Sequence, residues 1–84
     1  MALLFDEDAL SDVPAQDIRR VIEKARWLWT NRQAVTHHPL SQNLSRFYKR
    51  RVGNYRIIYT YDTGADELVI RLVGTRDDIY KNVP

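Results

Sequence analysis

Apolar positions along this chain follow two different periods. In the first half they recur at Ile18, Val21, Ile22, Ala25, Leu28 and Trp29, the i, i+3, i+4, i+7 stripe of an amphipathic helix. Pro14 suits the first turn of that helix, Asp12 is the candidate N-cap, and the stripe runs to about Asn31. Trp27 stands half a turn off the stripe, so it is expected to pack against the N-terminal arm or to meet a partner. Residues 2–5 are apolar and read as a strand or extended start, and residues 6–13 have room for one helical turn. Residues 33–45 are polar, contain Pro39 and read as a loop.

In the second half the period drops to two. Residues 46–52, 55–61 and 68–73 read as strands, the last dense in β-branched residues. Gly53-Asn54 between the first two is a two-residue hairpin signal of type II′ or I′, and residues 62–66 make the next turn. A two-residue loop fixes the register: Val52 opposes Tyr55, Arg51 opposes Arg56, Arg50 opposes Ile57, Lys49 opposes Ile58 and Tyr48 opposes Tyr59. Because side chains alternate, Lys49, Arg51, Arg56, Ile58 and Thr60 share one face. Tyr48, Val52, Tyr55, Ile57, Tyr59 and Tyr61 share the other with Arg50, and that apolar, aromatic face suits packing on the helix. Like charges opposed across a strand pair destabilise it by a few tenths to about 1 kcal/mol. An anion bound between Arg51 and Arg56 would reverse that effect, whereas a solvated basic face would leave it standing.

The length of 84 residues bounds the chain to a single domain, 1–84, with a radius of gyration of about 12 Å. Hydrophobic residues at 44% and charged residues at 29% are globular values. Cysteine is absent, which excludes disulfides, thiolate metal sites and a cysteine nucleophile. Apolar runs are too short for a membrane span, and no basic segment precedes Leu3-Leu4-Phe5, so a soluble cytoplasmic protein is expected. The net charge is only +2, yet from Lys24 to Tyr61 there is no carboxylate and there are eight cations: Lys24, Arg26, Arg32, Arg46, Lys49, Arg50, Arg51 and Arg56. Such a block attracts phosphate, and ten arginines to three lysines favour bidentate contact with it. His37-His38 has no carboxylate or cysteine nearby in sequence, so the pair is expected to be ordinary loop and no metal or cofactor is expected.

The run Tyr48-Lys49-Arg50-Arg51-Val52-Gly53-Asn54-Tyr55-Arg56-Ile57-Ile58-Tyr59 closely resembles the central motif of the RelE/ParE superfamily of bacterial toxins. Val73-Gly74-Thr75-Arg76-Asp77-Asp78-Ile79-Tyr80 resembles the C-terminal motif of the same family. The resemblance covers roughly residues 1–80 and implies an α+β fold, with one or more N-terminal helices packed on one face of a small, curved, mostly antiparallel sheet. It also implies a type II toxin, a cognate antitoxin bound in a hetero-oligomer, and no membrane. RelE-type members cut mRNA on the ribosome; ParE-type members inhibit DNA gyrase and lack the ribonuclease residues. Lys49, Arg51, Arg56, Arg76 and Tyr80 stand where RelE-type catalytic residues stand. The match favours a ribosome-dependent endoribonuclease, with a gyrase-inhibiting toxin or an RNA-binding module as the alternative. The second cation is Arg51 where a lysine is often found, and the first helix looks shortened.

The implied reaction is attack of a ribose 2′-OH on the adjacent phosphate, leaving a 2′,3′-cyclic phosphate and a 5′-OH. Lys49 is the candidate base, with Arg51 and Arg56 on the non-bridging oxygens, Arg76 at the leaving oxygen and Tyr80 stacked on a base. Arg46 joins Lys49, Arg51 and Arg56 as an RNA-binding residue. No histidine is expected in this site, and Arg50, on the opposite face by alternation, is expected to matter less than Arg56.

Overall fold

A computed structural model describes residues 1–40 and 46–75. Strand β1 is Ala2–Phe5, helix α1 is Ala15–Thr30, and β2 (His38–Pro39), β3 (Tyr48–Val52), β4 (Tyr55–Asp62) and β5 (Glu67–Thr75) complete the described elements. The strands form one sheet in the order β1-β5-β4-β3-β2. β1 runs parallel to β5 and every other pairing is antiparallel. This is the α+β layering expected, with one helix against a five-stranded mixed sheet. The Cα radius of gyration is 12.0 Å.

Residues 6–13 make no helix. They form successive turns in which Ala9, Ser11 and Val13 donate backbone hydrogen bonds to the carbonyls of Asp6, Asp8 and Leu10. Asp12 is not the N-cap. Pro14 holds that position at φ −57° and ψ 147°, with no side-chain cap, and Asp17 N–H bonds to its carbonyl at 2.9 Å. Proline suits this boundary because its fixed φ starts the helix at no cost in hydrogen bonds. At the other end the backbone N–H and the side-chain amide of Asn31 both reach the Trp27 carbonyl, at 3.0 and 2.9 Å. Helix and sheet are joined by Val21, Ala25 and Leu28 packing with Val52, Tyr55, Ile57, Tyr59, Leu68, Ile70 and Val73.

The β3–β4 hairpin has the register expected, Val52 opposite Tyr55 through Tyr48 opposite Tyr59. Gly53 takes φ +56° while Asn54 does not enter the left-handed region, the sense of a type II′ turn. The loop expected over residues 33–45 hides a strand: His38 pairs with Lys49 and Pro39 with Tyr48. Two residues carry too little pattern for strand β2 to be read from sequence, and Pro39 argues against it except at an edge, which is where it lies. A register shift between Ile58 and Tyr59 leaves Arg71 of β5 unpaired, so that its guanidinium reaches Thr60 Oγ1 at 3.2 Å and Asp6 at 3.1 Å. Part of the face away from α1 is covered as well, because Leu40, Phe47 and Ile58 form a second apolar cluster with Leu72 beside it.

Candidate nucleic-acid interface

The site is built where the hairpin passes the end of a short edge strand. β2 covers β3 only at Tyr48 and Lys49, so the edge of β3 beyond them has no strand partner. A cavity of about 430 Å³ opens there, lined by Lys24, His38, Lys49, Arg50, Arg51 and Arg56. Among the described residues every lining side chain is basic. Lys49, Arg51 and Arg56 come together as the hairpin register requires, with Arg51 directly opposite Arg56.

Three residues join them that sequence reasoning left out. His38 faces the cavity because its Cα pairs with that of Lys49, which puts both side chains on one face of the sheet. The expectation of a site without histidine is therefore corrected; the signal was hidden with β2. Arg50 does alternate to the other face, but at an unpartnered edge a long side chain can line an opening on either side. Its Nη2 donates to the Thr36 carbonyl at 3.0 Å and its guanidinium lies 5.6 Å from the Trp27 ring centre. The lesser role expected for Arg50 rests on alternation alone, and the structure places its side chain in the cavity lining. Lys24 arrives from α1, its Nζ 4.0 Å from the centre of the same ring. Trp27 is 42% exposed beside these two cations.

Charge pairing separates structural from available cations. Arg32 is held by Asp66 and Arg71 by Asp6, while Arg19 and Arg20 pair with Glu23 and Asp17 along the helix. Of the eight cations between Lys24 and Tyr61, Arg32 alone has a carboxylate partner among the described residues. Nε of Arg50 and Nε of Arg56 are buried with no hydrogen-bond partner among those residues. The cavity wall thus carries guanidinium groups whose hydrogen bonds are not all satisfied among the described residues.

His37 has the opposite fate from His38. Its Nε2 lies 2.8 Å from the Arg32 carbonyl and its Nδ1 2.6 Å from Tyr59 Oη, and its ring sits among Tyr48, Tyr59 and Tyr61. A carbonyl only accepts, so Nε2 carries the proton and Nδ1 of the neutral ring accepts from Tyr59. Burial pushes the Tyr59 phenol up to about 12, which keeps it a donor. No group of three metal-ligating side chains occurs among the described residues.

Arg46 does not share the basic cavity. It is exposed, stacks its guanidinium 4.9 Å from the Phe47 ring and borders a separate cavity of about 670 Å³. There Arg46 and Arg71 face Asp6, Asp62 and Glu67, so that the charges are mixed and no strong positive potential builds. Arg76 and Tyr80 lie outside the described residues.

Comparison with known proteins completes the picture. The model of the ParE toxin of type II toxin–antitoxin systems matches residues 4–80. A search of curated proteins finds no match. Among solved structures, the toxin–antitoxin complex RelBE2 of Mycobacterium tuberculosis matches with TM-score 0.76 and 26% identity over 92% of each chain. The RelB–RelE complex of Methanococcus jannaschii gives 0.62 and 26% over 96% of this chain and 99% of that one. The isolated RelE toxin of E. coli gives 0.67 and 19% over 94% and 89%, a likeness of fold. With the helix-on-sheet fold, the hairpin register and a family match over nearly the whole chain, this protein belongs to the ParE toxin family within the RelE/ParE superfamily of type II toxins.

Proposed function

We propose that this toxin is a metal-independent endoribonuclease that cuts mRNA during translation on the ribosome, in the cytoplasm. The observation that carries this reading is the cavity whose lining among the described residues, Lys24, His38, Lys49, Arg50, Arg51 and Arg56, is wholly basic. The scissile phosphate sits in that cavity. Lys49 takes the proton from the ribose 2′-OH as O2′ attacks phosphorus, and His38, whose Cα pairs with that of Lys49, adds an imidazole to the same wall of the cavity. Arg51 and Arg56, which cannot lose their protons, hold the non-bridging oxygens as negative charge builds. The P–O5′ bond breaks, the leaving oxygen acquires a proton, and a 2′,3′-cyclic phosphate and a 5′-OH remain. By family resemblance Arg76 neutralises the leaving oxygen and Tyr80 stacks on a base. None of these groups grips a whole strand, so orientation of the substrate falls to the ribosome.

The partner that restrains the activity is a cognate antitoxin. RelBE2 and the M. jannaschii RelB–RelE structure are toxin–antitoxin complexes, and the unpaired cations here suit an antitoxin arm rich in carboxylates. A second reading, gyrase inhibition without cleavage, draws support from the ParE name of the matching family. Single-turnover cleavage of ribosome-bound mRNA separates the two. Arg56→Ala should lower the rate 10²- to 10³-fold, about 2.7–4 kcal/mol of barrier, with the fold intact by circular dichroism. A purified wild-type protein that blocks gyrase supercoiling and leaves ribosome-bound mRNA whole would establish the second reading instead.

A further inference from the structure

The basic cavity continues round the open edge of β3 onto the helix. Lys24 and Arg50, two of its lining cations, both flank Trp27, at 4.0 and 5.6 Å from the ring centre. Lys24 and Trp27 stand three residues apart on α1 and so share a face of the helix. Trp27 takes no part in the helix–sheet core that Trp29 joins. A partly exposed indole with two cations near it, beside a basic cavity of about 430 Å³, suits a nucleotide.

We propose that Lys24, Trp27 and Arg50 form a docking ledge for single-stranded RNA, on which one unpaired base next to the cleavage position stacks on Trp27 while its phosphate lies between Lys24 and Arg50. This rests on the ribonuclease reading and extends it to the path of the strand, which leaves the working face over the edge of β3 instead of continuing along the sheet. Charge and shape favour RNA over a wrapping peptide. Peptide segments that order on a surface need apolar grooves for their anchors, and among the described residues no apolar side chain lines this cavity. A base needs only one π-face, and stacking on an aromatic side chain contributes strongly whatever the base. The strand must be single, because a paired base cannot reach the ring.

The test is tryptophan fluorescence on titrating the intact toxin with an eight-nucleotide 2′-O-methyl RNA, which cannot be cut because the attacking hydroxyl is blocked. Quenching is expected in the wild type and not in Trp27→Phe, where the Trp29 signal remains. Lys24→Gln and Trp27→Ala should each weaken binding by about tenfold, and cleavage of ribosome-bound mRNA by Trp27→Ala should show a raised KM with kcat little changed. Equal affinity of wild type and Trp27→Ala for the RNA, with wild-type cleavage intact, would overturn the ledge and leave the ribonuclease reading standing. Binding through Trp27 by a protein that cleaves nothing would support the ledge and defeat the ribonuclease reading. Quenching by a glutamate-rich peptide of equal charge, and not by the RNA, would overturn the ledge in favour of a protein partner.

Discussion

Asp66 does more for this fold than any other single carboxylate among the described residues. It accepts from Arg32 at 2.6 and 2.8 Å and from Tyr61 Oη at 3.0 Å, and its carbonyl takes the backbone N–H of Ala2. One residue, through its carboxylate and its backbone carbonyl, therefore ties the end of α1, the β4–β5 turn and β1 together, and it is held at φ +51°. The Arg32 hydrogen bond leads in holding its carboxyl down to about 2. Because the folded value lies below the usual carboxylate range, the stabilisation is present above about pH 4 and fades as pH falls toward 2. Urea unfolding between pH 2 and 5 should show a steep loss of stability in that window for the wild type. Asp66→Asn should be less stable at pH 6 and show a flatter slope below pH 4. Tyr59 is the second such position. Tyr59→Phe leaves His37 Nδ1 without its donor inside the aromatic cluster, and should cost about 1–3 kcal/mol in chemical denaturation.

At the scale of elements, the hairpin decides where the cations lie. Gly53 holds φ +56°, and a Cβ there would come within 3.2 Å of the Arg20 guanidinium. Arg20 can swing away, so the backbone conformation sets the penalty. Gly53→Ala should cost about 1–2 kcal/mol, read as a lower urea midpoint with unchanged slope. Register and face were legible in the sequence because a two-residue turn between alternating strands permits one pairing. The helix was legible because its stripe spans three turns. What was hidden arises where elements meet. Strand β2 has two residues and no period of its own, so His38 could not be placed. Arg50 alternates away from Lys49, and only the short cover of β2 over β3 shows that the cavity bends round the edge to collect it together with Lys24. The bulge that frees Arg71 likewise leaves no mark in an unbroken apolar run.

For the whole molecule the governing feature is a division of charge. Arginines that hold the fold are matched to Asp66, Asp6, Asp17 and Glu23, while those around the cavity have no carboxylate among the described residues. The resulting field should steer an acidic antitoxin arm. In stopped-flow mixing with its cognate antitoxin, the association rate should fall as salt shortens the screening length toward about 8–10 Å and below. A salt-independent rate would mean that apolar contact drives capture.

We propose that the basic cavity cuts mRNA only when the ribosome presents it. Primer extension on two copies of one transcript, identical except that one lacks a start codon and is not translated, tests it most directly. Wild-type toxin should produce new 5′ ends within the coding region of the translated copy, leave the untranslated copy whole, and lose both outcomes' difference when Arg56 is replaced by alanine. Equal cutting of the two copies, or cutting of neither by a toxin that still arrests growth, would contradict the account.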